Sequence, residues 1–375
     1  MESGVATLQD VAKLAAVSVS TVSRILKAKE GDPIPFSEKT QAQVRRAARR
    51  LGYRPSKLAR GLVGSRTGIV GLIVPSLEDS FFPSITSALQ KELNASGYNV
   101  LLVNTEQEYG VERSSLDDFL SWRVDGLIVA PSQSVPDAQP YWELWRLKVP
   151  FVLVDRFFAD TPFASVTTDD HAGAVLAVEH LLSLGRKCVA RAGSALPVST
   201  GRLRHQGYAD ALLGHGLRPD PALALEAEPA VGAGREVVTR LLELRPRPDA
   251  LFCFSDMVAV GVIEECLARG VRVPEDLAVV GYADLDFSSL TKVPLTTVRQ
   301  PRKEIGSLAA RRLLEQIRGG PLDTPMSVLP VELIVRESTV GHSTAGAGAA
   351  PITTATATAA RCGVGLLSGS TGRKQ

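Results

Sequence analysis

Between Thr7 and Arg24 the chain concentrates small polar side chains: hydroxyls at Thr7, Ser18, Ser20, Thr21 and Ser23, a carboxylate at Asp10 and a guanidinium at Arg24. Hydroxyls at that density suit two tasks, capping helix N-termini and bonding phosphate oxygens. Thr7 precedes Leu8, Val11, Ala12 and Ala15, which share one helical face, and Asp10 follows three residues later as a capping box. Ala15 to Ser18 reads as a tight turn, and Ser18 then caps a second helix whose apolar face is Val22, Ile25 and Leu26. A helix, a short turn and a second capped helix make a helix-turn-helix. In such a unit the first turn of the second helix reaches base edges in the major groove of DNA. Val19 and Ser20 are therefore expected to face bases, Thr21 and Ser23 to bond phosphates, and Arg24 to meet a guanine or a phosphate. The pattern alone leaves open a small structural bundle of helices.

Charge separates this head from the rest. Residues 1–66 hold thirteen Lys and Arg against five Asp and Glu, a net of +8, and the remainder holds 29 against 35, a net of −6. A basic head on an acidic body suggests that only the head meets a polyanion. A third helix is expected from Ser37 to Leu51, with Val44, Ala47, Ala48 and Leu51 inward, four arginines largely outward and Gly52 as its stop. Pro55 to Leu62 is a short basic segment, too short to hold as a free helix, and Gly61, Gly64 and Gly68 make it a linker.

From Gly68 apolar, β-branched runs alternate with helical segments: 68–75, 99–104, 125–131, 150–156, 165–169, 188–193, 249–255 and 277–282. That rhythm implies parallel sheets covered by helices on both faces, and about 270 residues is large for one open sheet, so two lobes are expected. Such sheets bind ligands at the carboxyl ends of their strands. The residues just past those ends are Phe81 and Phe82, Asp155 and Arg156, Ser255 and Asp256, and Ala283 and Asp284. From about Gly341 the chain is Ala, Thr, Gly and Ser and is expected to be disordered.

Other chemistries find no support. The sequence has no GxGxxG after a strand, no GxxxxGK[ST], no HExxH and no GxSxG. Its four cysteines form no CxxC pair, and its five histidines show no metal-ligand spacing. Neither an enzyme nor a cofactor or metal is expected. No apolar run approaches the ~20 residues that span a bilayer, and the N-terminus lacks a secretory pattern. A cytoplasmic protein with no membrane partner is the expectation. A solute-binding protein and an enzyme on the same scaffold are the two rival readings.

The string Thr7-Leu-Gln-Asp-Val-Ala-Lys-Leu-Ala-Ala-Val-Ser-Val-Ser-Thr-Val-Ser-Arg24 closely resembles the head of the lactose-repressor/galactose-repressor family, and so does Leu51-Gly-Tyr-Arg-Pro-Ser-Lys-Leu-Ala-Arg-Gly-Leu62. The likeness continues through Asp125-Gly-Leu-Ile-Val, Val154-Asp-Arg156, Phe254-Ser-Asp256, Val273-Pro-Glu-Asp276, Val280-Gly-Tyr282 and Pro294-Leu-Thr-Thr297, and covers about Thr7 to Ser338. It implies an all-α helix-turn-helix head over 1–54, a hinge helix and linker over 55–67, and a two-lobed, periplasmic-binding-protein-like α/β sensor over 68–340. The tail would then be 341–375. It further implies that the hinge lies in the minor groove, with Leu62 wedged between base pairs, Ala59 and Arg60 beside the groove and Tyr53 near phosphate. Thr7 joins Val19, Ser20, Thr21, Ser23 and Arg24 in that DNA-binding set.

In the sensor the resemblance points to Arg204 as the arginine that binds polar groups of an effector, and to Ser255 and Asp256 as a ligand-side pair; Phe82, Asp155 and Asp284 complete the expected set. There are departures. Ala16 stands where the family usually has Gly or Asn, and Ala283 where many relatives have an Asp that accepts sugar hydroxyls. The expectation is a DNA-binding transcriptional regulator, a repressor, that binds a near-palindromic operator on double-stranded DNA as a homodimer. Its partner in the sensor would be a small-molecule effector, a carbohydrate or related metabolite.

Overall fold

The structure, a computed structural model, describes residues 6–28, 33, 35–53, 66–132, 137–194, 198–323, 326–341 and 352–353. The chain divides into two compact units, Met1–Gly68 and Ile69–Gln375.

The smaller unit has three helices, α1 (Leu8–Leu14), α2 (Val19–Lys27) and α3 (Glu38–Arg50). Each starts where a side-chain oxygen captures a free backbone N–H. Asp10 N donates to Thr7 Oγ1 at 3.3 Å while Thr7 N donates to Asp10 Oδ2 at 2.9 Å, so the capping box is reciprocal. Ser18 and Ser37 cap α2 and α3 through the N–H groups of Thr21 and Thr40. Val11, Ala12, Ala15, Val22, Ile25, Val44, Ala47 and Ala48 form the core. The turn between α1 and α2 needs left-handed backbone at Ala16, where φ is +47°. Gln43 Nε2 on α3 donates to Ala15 O in that turn at 3.1 Å. Residues 55–65 of the expected hinge and linker, 55–67, and with them Ala59, Arg60 and Leu62, lie outside the described residues.

The larger unit has two sheets. Strands β1 (Ile69–Val74), β2 (Asn99–Asn104), β3 (Gly126–Val129), β4 (Phe151–Val154) and β5 (Ser165–Thr168) belong to the first. Strands β6 (Val189–Ala192), β7 (Ala224–Leu225), β8 (Ala250–Cys253), β9 (Ala278–Ala283) and β10 (Thr296–Arg299) belong to the second. Then β11 (Ser327–Leu329) returns to the first sheet, and β12 (Glu332–Ile334) and β13 (Ile352–Thr353) to the second. The orders are β11-β5-β4-β3-β1-β2 and β13-β12-β10-β9-β8-β6-β7. The first sheet is wholly parallel, and in the second only β12 runs against its neighbours, antiparallel to both β10 and β13.

Helices cover both faces, which is why most of these strands are continuously apolar. On the first sheet α4 (Phe81–Ala95) lies on one face and α5 (Tyr109–Ser121) and α6 (Gln139–Arg146) on the other. On the second, α7 (Asp170–Ser183) and α8 (Ser199–Gly214) oppose α9 (Ala233–Glu243) and α10 (Asp256–Ala268). The chain crosses between sheets after β5, after β10 and after β11, and α11 (Arg302–Ile317) packs beside α4 on the first sheet. Side chain and backbone tie the crossings together: Gln300 Nε2 donates to Thr168 Oγ1 at 2.8 Å, and Asp169 N to Leu329 O at 3.0 Å. The sheet is therefore split into the two lobes that the strand rhythm implied.

Most of the tail expected to be disordered, 342–351 and 354–375, lies outside the described residues. Ile352–Thr353 departs from that expectation by pairing with Glu332 and Leu333. The edge of β12 away from β10 offers backbone groups that a further strand can pair.

Candidate effector cleft and DNA-reading helix

The carboxyl ends of both sheets open on one cavity of 390 Å³. Its first-lobe wall includes Ser76, Asp79, Phe81, Phe82, Asn104, Gln107, Asp155 and Arg156; its second-lobe wall includes Gly193, Thr200, Arg204, Phe254, Ser255, Tyr282 and Ala283, with Gln300 from the second crossing.

Arg204 on α8 is held from three sides. Its Nε donates to Asp170 Oδ1 at 2.8 Å, its Nη1 donates to Phe254 O at 2.6 Å, and its guanidinium carbon lies 3.8 Å from the Tyr282 ring centroid. Asp170, the first residue of α7, is fully buried and its Oδ2 has no hydrogen-bond partner. Burial pushes its carboxyl up to about 6 against the pull of Arg204. Asp155 directly follows β4 and has a left-handed φ of +64°. Burial raises its pKa while Arg156, 3.6 Å away, opposes the rise. Arg156 in turn donates to Pro131 O at 2.7 Å and sits over Phe82 at 5.9 Å. Asp79 accepts from Phe81 N at 2.7 Å, and burial raises its pKa as well. Phe81 and Phe82 meet edge to face, with centroids 5.0 Å apart.

Four of the six sensor residues expected from the sequence, Phe82, Asp155, Arg204 and Ser255, are thus brought together on this wall. Ser255 also caps α10 through Met257 N at 3.2 Å. The other two face elsewhere. Asp256 is fully buried, and its carboxylate accepts from Leu285 N at 2.8 Å, Ser288 Oγ at 2.6 Å and Thr297 Oγ1 at 2.6 Å. A Cβ at Gly281 would stand 2.2 Å from Asp256 Oδ1, so glycine there gives the carboxylate its room. Asp284 is bound by Arg299 at 2.7 Å and Arg336 at 2.7 Å. Both acids brace the loop after β9 because their oxygens are already taken. Asp284 therefore leaves unreplaced the acceptor that Ala283 lacks.

Wall residues that the sequence did not assign to the site include Asp79, Phe254, Tyr282, Thr200 and Gln300. Strand-end position was an available signal for Asp79, Phe254 and Tyr282. Thr200 and Gln300 carry no local signal, because their place depends on where α8 and the second crossing pack. The wall supplies hydrogen-bond acceptors and aromatic faces, the combination that orients a small ligand. Among the described residues no cluster of His, Cys, Asp and Glu could hold a metal ion, and no helix is long and apolar enough to cross a membrane.

In the head, Thr7, Val19, Ser20 and Arg24 are exposed, and Thr21, Ser23 and Tyr53 half-buried. Val19 is 41% exposed although it is apolar. Ser18 Oγ lies 2.8 Å from both Ser20 Oγ and Thr21 Oγ1, so hydroxyls gather at the positive end of α2.

Residues 7–56 match the family model for bacterial regulatory proteins of the lacI family, and residues 178–339 match a periplasmic binding protein-like domain. A ribose operon repressor of Halalkalibacterium halodurans is 34% identical over 335 residues, covering 89% of this chain and 97% of its own length. The HTH-type transcriptional repressor CytR of Escherichia coli is 32% identical over 334 residues, 89% of this chain and 96% of that protein. Among solved structures, the lac repressor dimer bound to operator and the anti-inducer ONPF has 28% identity and a TM-score of 0.77, over 90% of this chain and 100% of that one. The complex of the transcriptional regulator CelR with cellobiose has 30% identity and a TM-score of 0.67, over 89% and 99%. With a reading head, a two-lobed sensor and relatives that match both along nearly their whole length, the chain belongs to the lacI family of DNA-binding transcriptional regulators and is not an enzyme.

Proposed function

We propose that this regulator is a cytoplasmic repressor that binds a near-palindromic operator as a homodimer and responds to an uncharged, hydroxyl-rich effector, a sugar or related metabolite. The observation that carries the reading is the cleft itself, walled by strand ends from both lobes. Its margin holds five carboxylates, Glu78, Asp79, Glu106, Asp155 and Glu228, against the two guanidiniums of Arg156 and Arg204. Both guanidiniums already have partners within the protein, so an anionic effector would meet net repulsion. Hydroxyl groups suit the surplus of acceptors. Relatives include a ribose operon repressor and a regulator solved with cellobiose. Because Ala283 offers no acceptor, the hydroxyls fall to Asp79, Asp155 and Ser255, with Arg204 as a donor.

In the head, Val19 and Ser20 read base edges, Val19 through contact with a thymine methyl, while Thr7, Thr21, Ser23 and Tyr53 bond phosphates and Arg24 meets a guanine or a phosphate. Ala59, Arg60 and Leu62 engage the minor groove, Leu62 as a wedge. Ligand closure of the lobes shifts the linker, and coupling of this kind is typically about 1–3 kcal/mol. Two-fold protein symmetry matches two half-sites.

Selection of genomic fragments on the purified protein, repeated at rising salt and with a panel of neutral sugars, tests the reading. One recovered motif with two-fold symmetry, released or tightened by a sugar, is expected. A motif without symmetry, or indifference to every neutral sugar alongside a response to an anionic metabolite, would overturn it. Leu62→Ala is expected to bind the recovered motif more weakly and bend it less; unchanged bending removes the wedge.

A further inference from the structure

A strongly charged surface in the head is not used by the reading residues. Arg45, Arg46, Arg49 and Arg50 are all exposed on α3, on the face opposite Val44, Ala47 and Ala48. The spacing i, i+1, i+4, i+5 gathers them into one patch, because residues three and four apart are neighbours on a helix. None of the four makes an ion pair or a side-chain hydrogen bond to a described residue. Elsewhere the same residue type is routinely paired at this spacing: Arg240 with Glu236, Arg269 with Glu265 and Arg272 with Asp276. On α3 the i, i+4 neighbours of Arg45 and Arg46 are Arg49 and Arg50, like charges that repel. The helix C-terminus compensates only in part, since its negative end favours cations within the last turn alone.

A self-repelling quartet is stabilised by a polyanion, and the unit that carries it binds DNA. We propose that the α3 arginines are a second phosphate-binding surface for duplex DNA, separate from the first turn of α2 and indifferent to sequence. The four guanidiniums take backbone phosphates that the reading residues leave free and displace their counter-ions. The surface raises affinity for any duplex equally and contributes to holding the protein on non-operator DNA.

The test uses the full-length protein and an arbitrary 40-base-pair duplex, so it needs no knowledge of the operator. Each phosphate that the protein no longer neutralises should flatten the log–log salt dependence by about 0.9, equivalent to about threefold less weakening between 50 and 200 mM salt. R45Q/R46Q/R49Q/R50Q is expected to flatten the slope by about 2 or more, and to keep or raise the thermal midpoint of the head at low salt. Gln is a good helix former, so the variant should fold, and the circular dichroism spectrum checks that. R45K/R46K/R49K/R50K is expected to keep the slope. Val19→Ala with Ser20→Ala is expected to lose discrimination between sequences while the slope stays, which separates failure of this surface from failure of the reading helix. An unchanged slope in the folded Gln variant would overturn the proposal. So would weakened binding confined to vesicles of anionic lipid, with duplex DNA bound as before.

Discussion

Arg204 Nε donates to Asp170 Oδ1 across 2.8 Å, and the carboxylate it meets is wholly buried. The pair joins α8 to the start of α7, immediately past the first crossing between lobes, so an effector touching Arg204 would touch a side chain anchored beside that crossing. Arg204→Met removes the charge and leaves Asp170 buried without a partner. Breaking one side of such a pair costs about 3–5 kcal/mol. Arg204→Met with Asp170→Asn should recover part of the loss, giving a coupling energy of about 1–3 kcal/mol in urea unfolding. Additive effects of the two changes would mean that the pair is not coupled. Effector binding is expected to be lost in both variants.

Asp170 also sets a pH dependence with a definite sign. Its carboxyl titrates near 3.8 in the ordinary case and near 6 in the folded protein. Between those pH values the folded protein keeps a proton that the unfolded chain has released. Stability from this group is therefore fully present below about pH 4 and is lost as pH rises through 6. Wild type should gain about 1 kcal/mol relative to Asp170→Asn when unfolding is measured at pH 5 rather than pH 7. A difference between the two proteins that stays flat across that range would place the titration elsewhere.

The strand–helix alternation and the caps at Thr7, Ser18 and Ser37 were legible because they rest on local spacing. From spacing alone, site residues were legible only as far as strand ends go; Arg204, on α8, came from the resemblance. Ser255 and Asp256 are adjacent past β8, yet Ser255 lines the cleft and Asp256 turns away to the loop after β9. Nothing in the local sequence decides between them, since the choice depends on Leu285, Ser288 and Thr297, all more than twenty-five residues distant. Asp284 misled for the same reason: Arg336, which claims it, follows β12 at the far end of the chain. The antiparallel β12 and the short β7 were missed because two or three residues carry too little periodicity to register.

Asp256 makes the contrast measurable. Asp256→Ala leaves Leu285 N and two hydroxyls without an acceptor in a buried site, and hydrogen bonds to a charged group are worth about 1.5–3 kcal/mol each. A loss of about 3–5 kcal/mol in urea is expected, allowing for partial rehydration. If Asp256 only braces the loop, Asp256→Asn, which keeps an acceptor, should retain effector affinity to within about threefold, less than 1 kcal/mol. A large affinity loss in that variant at nearly full stability would return Asp256 to the cleft.

The turn at Ala16 gives the head a correctable strain. Its φ of +47° is left-handed backbone, which costs a residue bearing a Cβ about 1 kcal/mol or more. Glycine relieves that clash but adds freedom to the unfolded chain, so the net gain from Ala16→Gly is about 0.5–1 kcal/mol. Residues on both sides of the turn, Val11, Ala15 and Val22, are buried in the head's core, so the gain should reach their amides. Slower hydrogen exchange at Val11 and Val22, by about two- to fivefold, is the expected result. Faster exchange would mean that Ala16 makes a stabilising contact outweighing its strain, and that the turn is set by packing rather than by backbone preference.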